Sequence, residues 1–311
     1  MKVFGKKQRA KLRDTISLFT KLSLMKNIYI FGVGLIGGSI ALKARELNIF
    51  DEIIGIGRPG GNSLEGLVKS GVLDSSSTQI DRSINKASLI IIATPVAQTK
   101  LILKEIKPFL NANTIITDVG STKSNVMDEA KVVLMDKFSQ FIGSHPIAGS
   151  EKHGASAAKK DLFQNKNIIL TPNNENPLEQ ITKLTKFWES LGGEVTNMKA
   201  EDHDQIFSTV SHLPHLLAFG LVNLINNKKN KDILLNFAAS GFRDFSRIAA
   251  SSPEVWRDIS IQNQESIVRD LKLFQTEISK LTSFIETKDQ KKLEEYLKLA
   301  SSTRQNWTEE N

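Results

Sequence analysis

Two hydrophobic periods divide the chain. Up to Pro172, short apolar runs recur at Ile28–Phe31, Glu52–Gly57, Ser88–Thr94, Thr114–Val119, Phe141–His145 and Asn167–Pro172. Runs of β-branched and aromatic residues without alternation suit strands covered on both faces of a parallel sheet. Between them lie stretches of helical spacing: from Ser39, over 63–70, Thr99–Leu110 and 124–135, with a short extended piece at Val72–Leu73. Strands alternating with helices predict an α/β fold, a doubly wound Rossmann-type parallel sheet.

Beyond Pro172 the period becomes helical. Asn173–Pro177 reads as a linker, 178–191 as an amphipathic helix stopped by Gly192-Gly193, and Glu194–Met198 as an edge strand. His203–Ile225 carries apolar residues at helical spacing, with Pro214 forcing a kink or a new turn. Ser252-Pro253-Glu254 opens a long helix striped by Ile259, Ile267, Leu271, Phe274, Ile278 and Leu281, and Asp289–Leu299 gives a last helix. The expected organisation is a sheet domain over 25–175, an all-α domain over 176–300 and a tail over 301–311. The long apolar stripes of the second domain predict a homodimer that shares a core there.

Composition adjusts this picture in three places. The net charge of +7 is concentrated at the start: residues 1–24 carry seven bases against Asp14, or +6, leaving +1 for the other 287 residues. No nucleic-acid partner is therefore expected. The basic segment is expected to be a disordered extension, with an amphipathic targeting helix as the alternative. No apolar run approaches the roughly 20 residues of a membrane span, so no membrane partner is expected. The absence of cysteine excludes disulfides and thiolate chemistry and suits a cytoplasmic location.

Gly32, Gly34 and Gly37 fall on the spacing G-x-G-x-x-G between the first strand and the first helix. Such a loop makes a tight turn at the first glycine. The second admits a pyrophosphate and the third lets the helix approach the strand. Leu35 and Ile36 then offer backbone N–H groups at the helix start. Thr94 and Pro95 end the central strand at the edge where ligands bind in such sheets. An acid usually closes the second strand in an NAD site, but position 57 is Gly and Arg58 follows. An arginine attracts a 2′-phosphate, which tilts the cofactor from NAD towards NADP; Arg58 can instead lie over the adenine or in solvent.

Candidate chemistry gathers in three places: Gly120-Ser121-Thr122-Lys123, the stretch from Ser144 to Glu151, and the pair Ser211–His215 and Gly241–Arg247. A histidine at a strand end above a nicotinamide can take a hydroxyl proton as hydride leaves. An arginine can hold a carboxylate through two parallel hydrogen bonds. His153 and His203 are expected to be structural.

In order along the chain stand Gly32-x-Gly34-Leu35-Ile36-Gly37-Gly38-Ser39, Asp118-Val119-Gly120-Ser121-x-Lys123, His145–Glu151, Ser211-His212-Leu213-Pro214-His215 and Gly241–Ala249. Together they resemble the prephenate/arogenate (cyclohexadienyl) dehydrogenase family of tyrosine biosynthesis, over about residues 25–285. The resemblance implies oxidative decarboxylation of a cyclohexadienol small molecule, with hydride passing to NAD or NADP and no metal required. It implies that His145 accepts a hydrogen bond from the ring hydroxyl and that Ser121 holds His145 and the nicotinamide in register. It further implies that Arg247, helped by Arg243, binds a carboxylate, and that His212 and His215 face the same pocket. Glu151 is implied at the pocket mouth, Asp244 beside an arginine, and Trp256 closing the pocket. Residues 1–24 are too short for a fused chorismate mutase, and no regulatory domain is expected after 290. Two other readings stay open: another two-domain Rossmann oxidoreductase, such as a β-hydroxyacid dehydrogenase or an imine reductase, and a non-catalytic dinucleotide-sensing protein.

Overall fold

The computed structural model describes residues 25–58, 64–149 and 154–307. Five parallel strands form the first sheet: β1 (Asn27–Phe31), β2 (Glu52–Ile56), β3 (Ser75–Ser77), β4 (Leu89–Ile92) and β5 (Ile115–Asp118), in the order β3-β2-β1-β4-β5. The extended piece expected at Val72–Leu73 lies at Ser75–Ser77 instead; Leu73 is buried in the core just before it. Side chains along each strand alternate between two cores. Ile28, Ile30, Leu89 and Ile91 face α1 (Leu35–Leu47), whereas Tyr29, Phe31, Ile90 and Ile92 face the other side. Of the next helices, α2 (Glu65–Lys69) lies near the β3 edge, while α3 (Thr99–Ile106) and α4 (Ser124–Leu134) cover that second face. Strand order reverses between β1 and β4, so the loops leaving those two strands open a crevice there.

A second sheet of three strands follows: β6 (Gly143–Pro146), β7 (Asn167–Thr171) and β8 (Glu194–Asn197). It joins the first through a parallel bridge between Ile116 and Phe141. Here the simple expectation of further parallel strands changes: β6 runs antiparallel to β7, while β8 is parallel to it. Helix α5 (Leu178–Ser190) buries Leu184, Phe187 and Trp188 in the same core as Ile28 and Ile30. The domain boundary expected at 175 therefore falls after β8. The linker-like Asn173–Pro177 is a turn stitched by its own side chains, with the Asn176 amide donating to the Ser139 and Phe141 carbonyls at 2.9 and 3.0 Å.

The helical domain begins with α6 (Ala200–Phe207), widens into a π-turn over Ser208–His212, and continues as α7 (Leu213–Asn226). Pro214 has no N–H to donate to the preceding turn, and the π-turn absorbs that loss. Then come α8 (Lys231–Asn236), α9 (Ser240–Ser246), α10 (Pro253–Gln262), α11 (Gln264–Glu286) and α12 (Gln290–Asn306). The last helix thus takes in residues 301–306, which the sequence assigned to a tail. The Ser252 hydroxyl caps α10 by accepting from the Val255 N–H.

This domain has a small core of its own: Trp256, Ile259 and Ile267, packed by Leu216, Phe219 and Leu271. Leu224, Ile233, Leu235 and Phe237 are exposed, Phe237 at 85%. The rod Ala200–Asn226 is long and apolar enough to cross a membrane by length and composition, with 17% of its most apolar window buried. The sequence shows no unbroken apolar run of that length because Asp202, His203, Asp204, His212 and His215 punctuate the rod.

Candidate active site

The glycine loop sits at the crevice between β1 and β4. Gly32 has φ +84°, and a Cβ there would stand 2.8 Å from the Ala93 carbonyl oxygen. A Cβ on Gly37 would collide with the Gly32 carbonyl oxygen, so helix and strand approach as closely as glycine allows. Gly34 differs: its Cβ direction is open. No side chain caps α1, and its first turn holds no acid, so the N–H groups beginning at Leu35 and Ile36 remain available to an anion. Thr94 contributes a buried hydroxyl without a partner among the described residues, and Pro95 starts the next turn. Space at Gly34, an uncapped helix start and an orphaned hydroxyl fit a dinucleotide pyrophosphate. Arg58 is exposed at the carboxyl end of β2 and forms no ion pair among the described residues. A Cβ at Gly57 would make only an ordinary contact with Leu64 at 3.6 Å, so sterics do not explain the missing acid.

His145 lies on β6, beside the end of β5. A buried network fixes that position. The Lys123 ammonium, fully buried, pairs with the Asp118 carboxylate and donates to the Ser144 carbonyl at 2.9 Å. Ser144 in turn donates its hydroxyl to the Asp118 carbonyl at 2.5 Å. Burial lowers the proton affinity of Lys123, and Asp118 opposes that shift.

The partner of His145 is a residue that sequence reasoning set aside. His145 Nδ1 lies 2.8 Å from His203 Nε2, and His203 Nδ1 lies 2.8 Å from Asp204 Oδ1. Asp204 also accepts the backbone N–H groups of Lys123 and Ser124, at 2.8 and 2.9 Å. Phe207 covers both imidazoles, with centroids 5.1 Å from His145 and 4.5 Å from His203. Beside the hold implied for Ser121, His145 thus has a hydrogen-bond partner in His203. The Ser121 hydroxyl makes no hydrogen bond to His145, while its backbone faces His212. The signal available in the sequence was the acid directly after His203, at the start of the helical domain.

All four of the described site histidines favour the neutral form. Burial holds His145 well below the usual histidine range, and positive charge at His203, Lys123 or His212 would push it further down. His203 is lowered by burial although Asp204 supports its proton. His212 falls to about 4 through burial. His215 is lowered by burial, against the Ser211 carbonyl that accepts its Nδ1–H at 2.9 Å.

The π-turn carries the helical wall. His212 Nδ1 stands 3.2 Å from the Asn263 amide nitrogen, which also donates to the Asp204 carbonyl at 2.8 Å. His212 Nε2 is buried without a hydrogen-bond partner among the described residues. Trp256 lies edge-on to His212, with centroids 6.1 Å apart, and stacks on His215 at 3.9 Å. Arg247 is close enough to His215 to oppose its protonation. His212, Trp256 and His215 thus form one wall, with His145 within electrostatic reach of His212 and Arg247 within that of His215. Arg243 and Arg247 are exposed, and neither has an ion pair among the described residues. Asp244 is exposed and forms no ion pair with either of them among the described residues. Glu151 and His153 lie outside the described residues.

Comparisons with known proteins agree with this layout. The prephenate dehydrogenase nucleotide-binding domain family matches residues 40–197, and the prephenate dehydrogenase dimerization domain family matches 199–299, so their junction coincides with the end of β8. Prephenate dehydrogenase of Bacillus subtilis is 38% identical over 279 residues, covering 89% of this chain and 75% of its own length. Cyclohexadienyl dehydrogenase of Zymomonas mobilis is 30% identical, covering 91% and 96%. The crystal structure of prephenate dehydrogenase from A. aeolicus in complex with hydroxyphenyl propionate and NAD+ superimposes with a TM-score of 0.84 at 32% identity, covering 90% of this chain and 98% of that one.

Proposed function

Because the chain belongs to the prephenate dehydrogenase family, we propose that it catalyses the oxidative decarboxylation of prephenate, giving 4-hydroxyphenylpyruvate, carbon dioxide and reduced NAD(P). The observation that carries this reading is the His145 imidazole at the ligand edge of the sheet domain, with Nδ1 2.8 Å from His203 Nε2 and Nε2 without a hydrogen bond among the described residues, where burial favours its neutral form.

When bound, the nicotinamide cofactor supplies the hydride acceptor. His145 Nε2 accepts the proton of the ring hydroxyl as the C–H bond on that carbon breaks. The opposite ring carbon then loses carbon dioxide, its bonding electrons complete the aromatic ring, and the proton returns to the oxygen as a phenol. No net proton is consumed, so the base ends the cycle as it began. Arg247, unpaired and beside His215, holds a substrate carboxylate, with Arg243 adding to the positive field. Trp256 and His215 supply a flat apolar surface for the carbocycle. His212 and Ser121 complete the enclosure.

Arg58, with no acid at Gly57, favours NADP over NAD by charge-assisted hydrogen bonding to the 2′-phosphate. Arogenate shares the ring and differs from prephenate in the side-chain amino group, and we include it as a substrate. The exposed apolar residues of α7 and α8 are buried by a second copy of the chain, giving a homodimer through the helical domain. A matrix of prephenate and arogenate against NAD and NADP, followed at the reduced-nicotinamide absorbance, tests the activity. Absence of turnover in all four combinations contradicts it.

A further inference from the structure

We propose that His203 and Asp204 are positioning residues for the reaction, fixing His145 in the tautomer whose Nε2 is free to accept a proton. The inference rests on the reading of His145 as the base.

One line of hydrogen bonds sets the tautomers. Asp204 receives two backbone N–H groups, one on each oxygen, at the start of α4. A carboxylate in that place is acceptor-only, and the positive end of the helix favours its charge. His203 Nδ1, 2.8 Å from that carboxylate, must then be the protonated nitrogen. A neutral imidazole protonated at Nδ1 presents a lone pair at Nε2. That lone pair lies 2.8 Å from His145 Nδ1, so His145 donates from Nδ1 and keeps its own lone pair on Nε2. Reversing either ring would set two N–H groups, or two lone pairs, against each other in a buried place. Phe207 holds both rings from the side.

The device spans the domain boundary. His145 and the N–H groups of Lys123 and Ser124 belong to the sheet domain, while His203, Asp204 and Phe207 belong to the first helix of the next one. Asn263 from α10's end clamps the Asp204 backbone. The base is therefore set only when the two domains are seated. As the proton arrives on His145 Nε2, the Nδ1–H bond to His203 strengthens and Asp204 stabilises the transient positive charge from two rings away.

The test uses the full-length enzyme with prephenate and NAD(P). His203→Leu removes the acceptor facing His145; His203→Gln keeps a carbonyl oxygen near the lost Nε2. Expected results are a kcat reduced ~10²-fold in the leucine variant, KM and cofactor dissociation constant held, and most of kcat restored in the glutamine variant. Nitrogen-15 spectra of the wild-type protein should show His145 protonated at Nδ1. Thermal unfolding of each variant verifies its fold. A folded leucine variant with wild-type kcat, equal losses in both variants, or His145 protonated at Nε2 would overturn the proposal. An active His145→Asn enzyme would instead overturn the reading of the base itself, so the two failures are distinguishable.

Discussion

Asp204 of the helical domain accepts the backbone N–H of Lys123 in the sheet domain at 2.8 Å, and its other oxygen accepts that of Ser124. One carboxylate thus caps α4 and anchors His203. Replacing it with alanine removes a helix cap and leaves a buried imidazole N–H unpaired. Asp204→Ala is expected to cost about 1–3 kcal/mol of unfolding free energy, measured by denaturant titration.

Gly34 and Gly37 should separate cofactor binding from folding. A methyl at Gly34 enters open space that a pyrophosphate would fill. Gly34→Ala is therefore expected to fold normally while weakening cofactor binding ~10-fold or more, equivalent to about 1.4 kcal/mol. Gly37→Ala meets the Gly32 carbonyl and should lower the thermal midpoint as well. Calorimetry and thermal unfolding of the two proteins distinguish the effects.

Arg247→Ala should raise the KM for prephenate by ~10-fold to ~10²-fold with a smaller change in kcat, the size of a lost hydrogen-bonded charge contact. Arg58→Ala should raise the KM for NADP and leave that for NAD in place. Steady-state kinetics with each cofactor reads both.

The pH dependence follows from the site imidazoles, His203 and His212 buried and His145 and His215 half-buried. His145, His203, His212 and His215 all have proton affinities below the usual histidine value in the folded state, His212 at about 4. A group depressed on folding stabilises the protein above its unfolded pKa of about 6.5. That contribution is lost as pH falls from there through the folded value. Unfolding free energy should be flat near neutrality and decline between about pH 6.5 and 4, with His212 alone worth on the order of 3 kcal/mol. Replacing His212 with Asn should flatten the decline.

Local chemistry made much of this protein legible in its sequence. The apolar runs and the glycine loop depend on neighbouring residues, and β1, β2, β4 and β5 lie where those runs put them. Asn173–Pro177 misled because side-chain-stitched turns and linkers share a composition; only the burial of Phe187 and Trp188 in the sheet core shows that the domain continues to β8. His203 was hard to place for a different reason, although Asp204 directly after it was a signal. Its use depends on an imidazole 58 positions earlier and on a helix start whose N–H groups donate to its neighbour's carboxylate. The π-turn at Ser208–His212 answers Pro214, but the sequence alone allowed a kink or a fresh helix equally.

The most direct measurement is single-turnover hydride transfer in His145→Asn with prephenate and cofactor bound. The rate should fall by ~10²–10⁴-fold while cofactor affinity and thermal midpoint stay at wild-type values. A variant that transfers hydride at the wild-type rate would contradict the account.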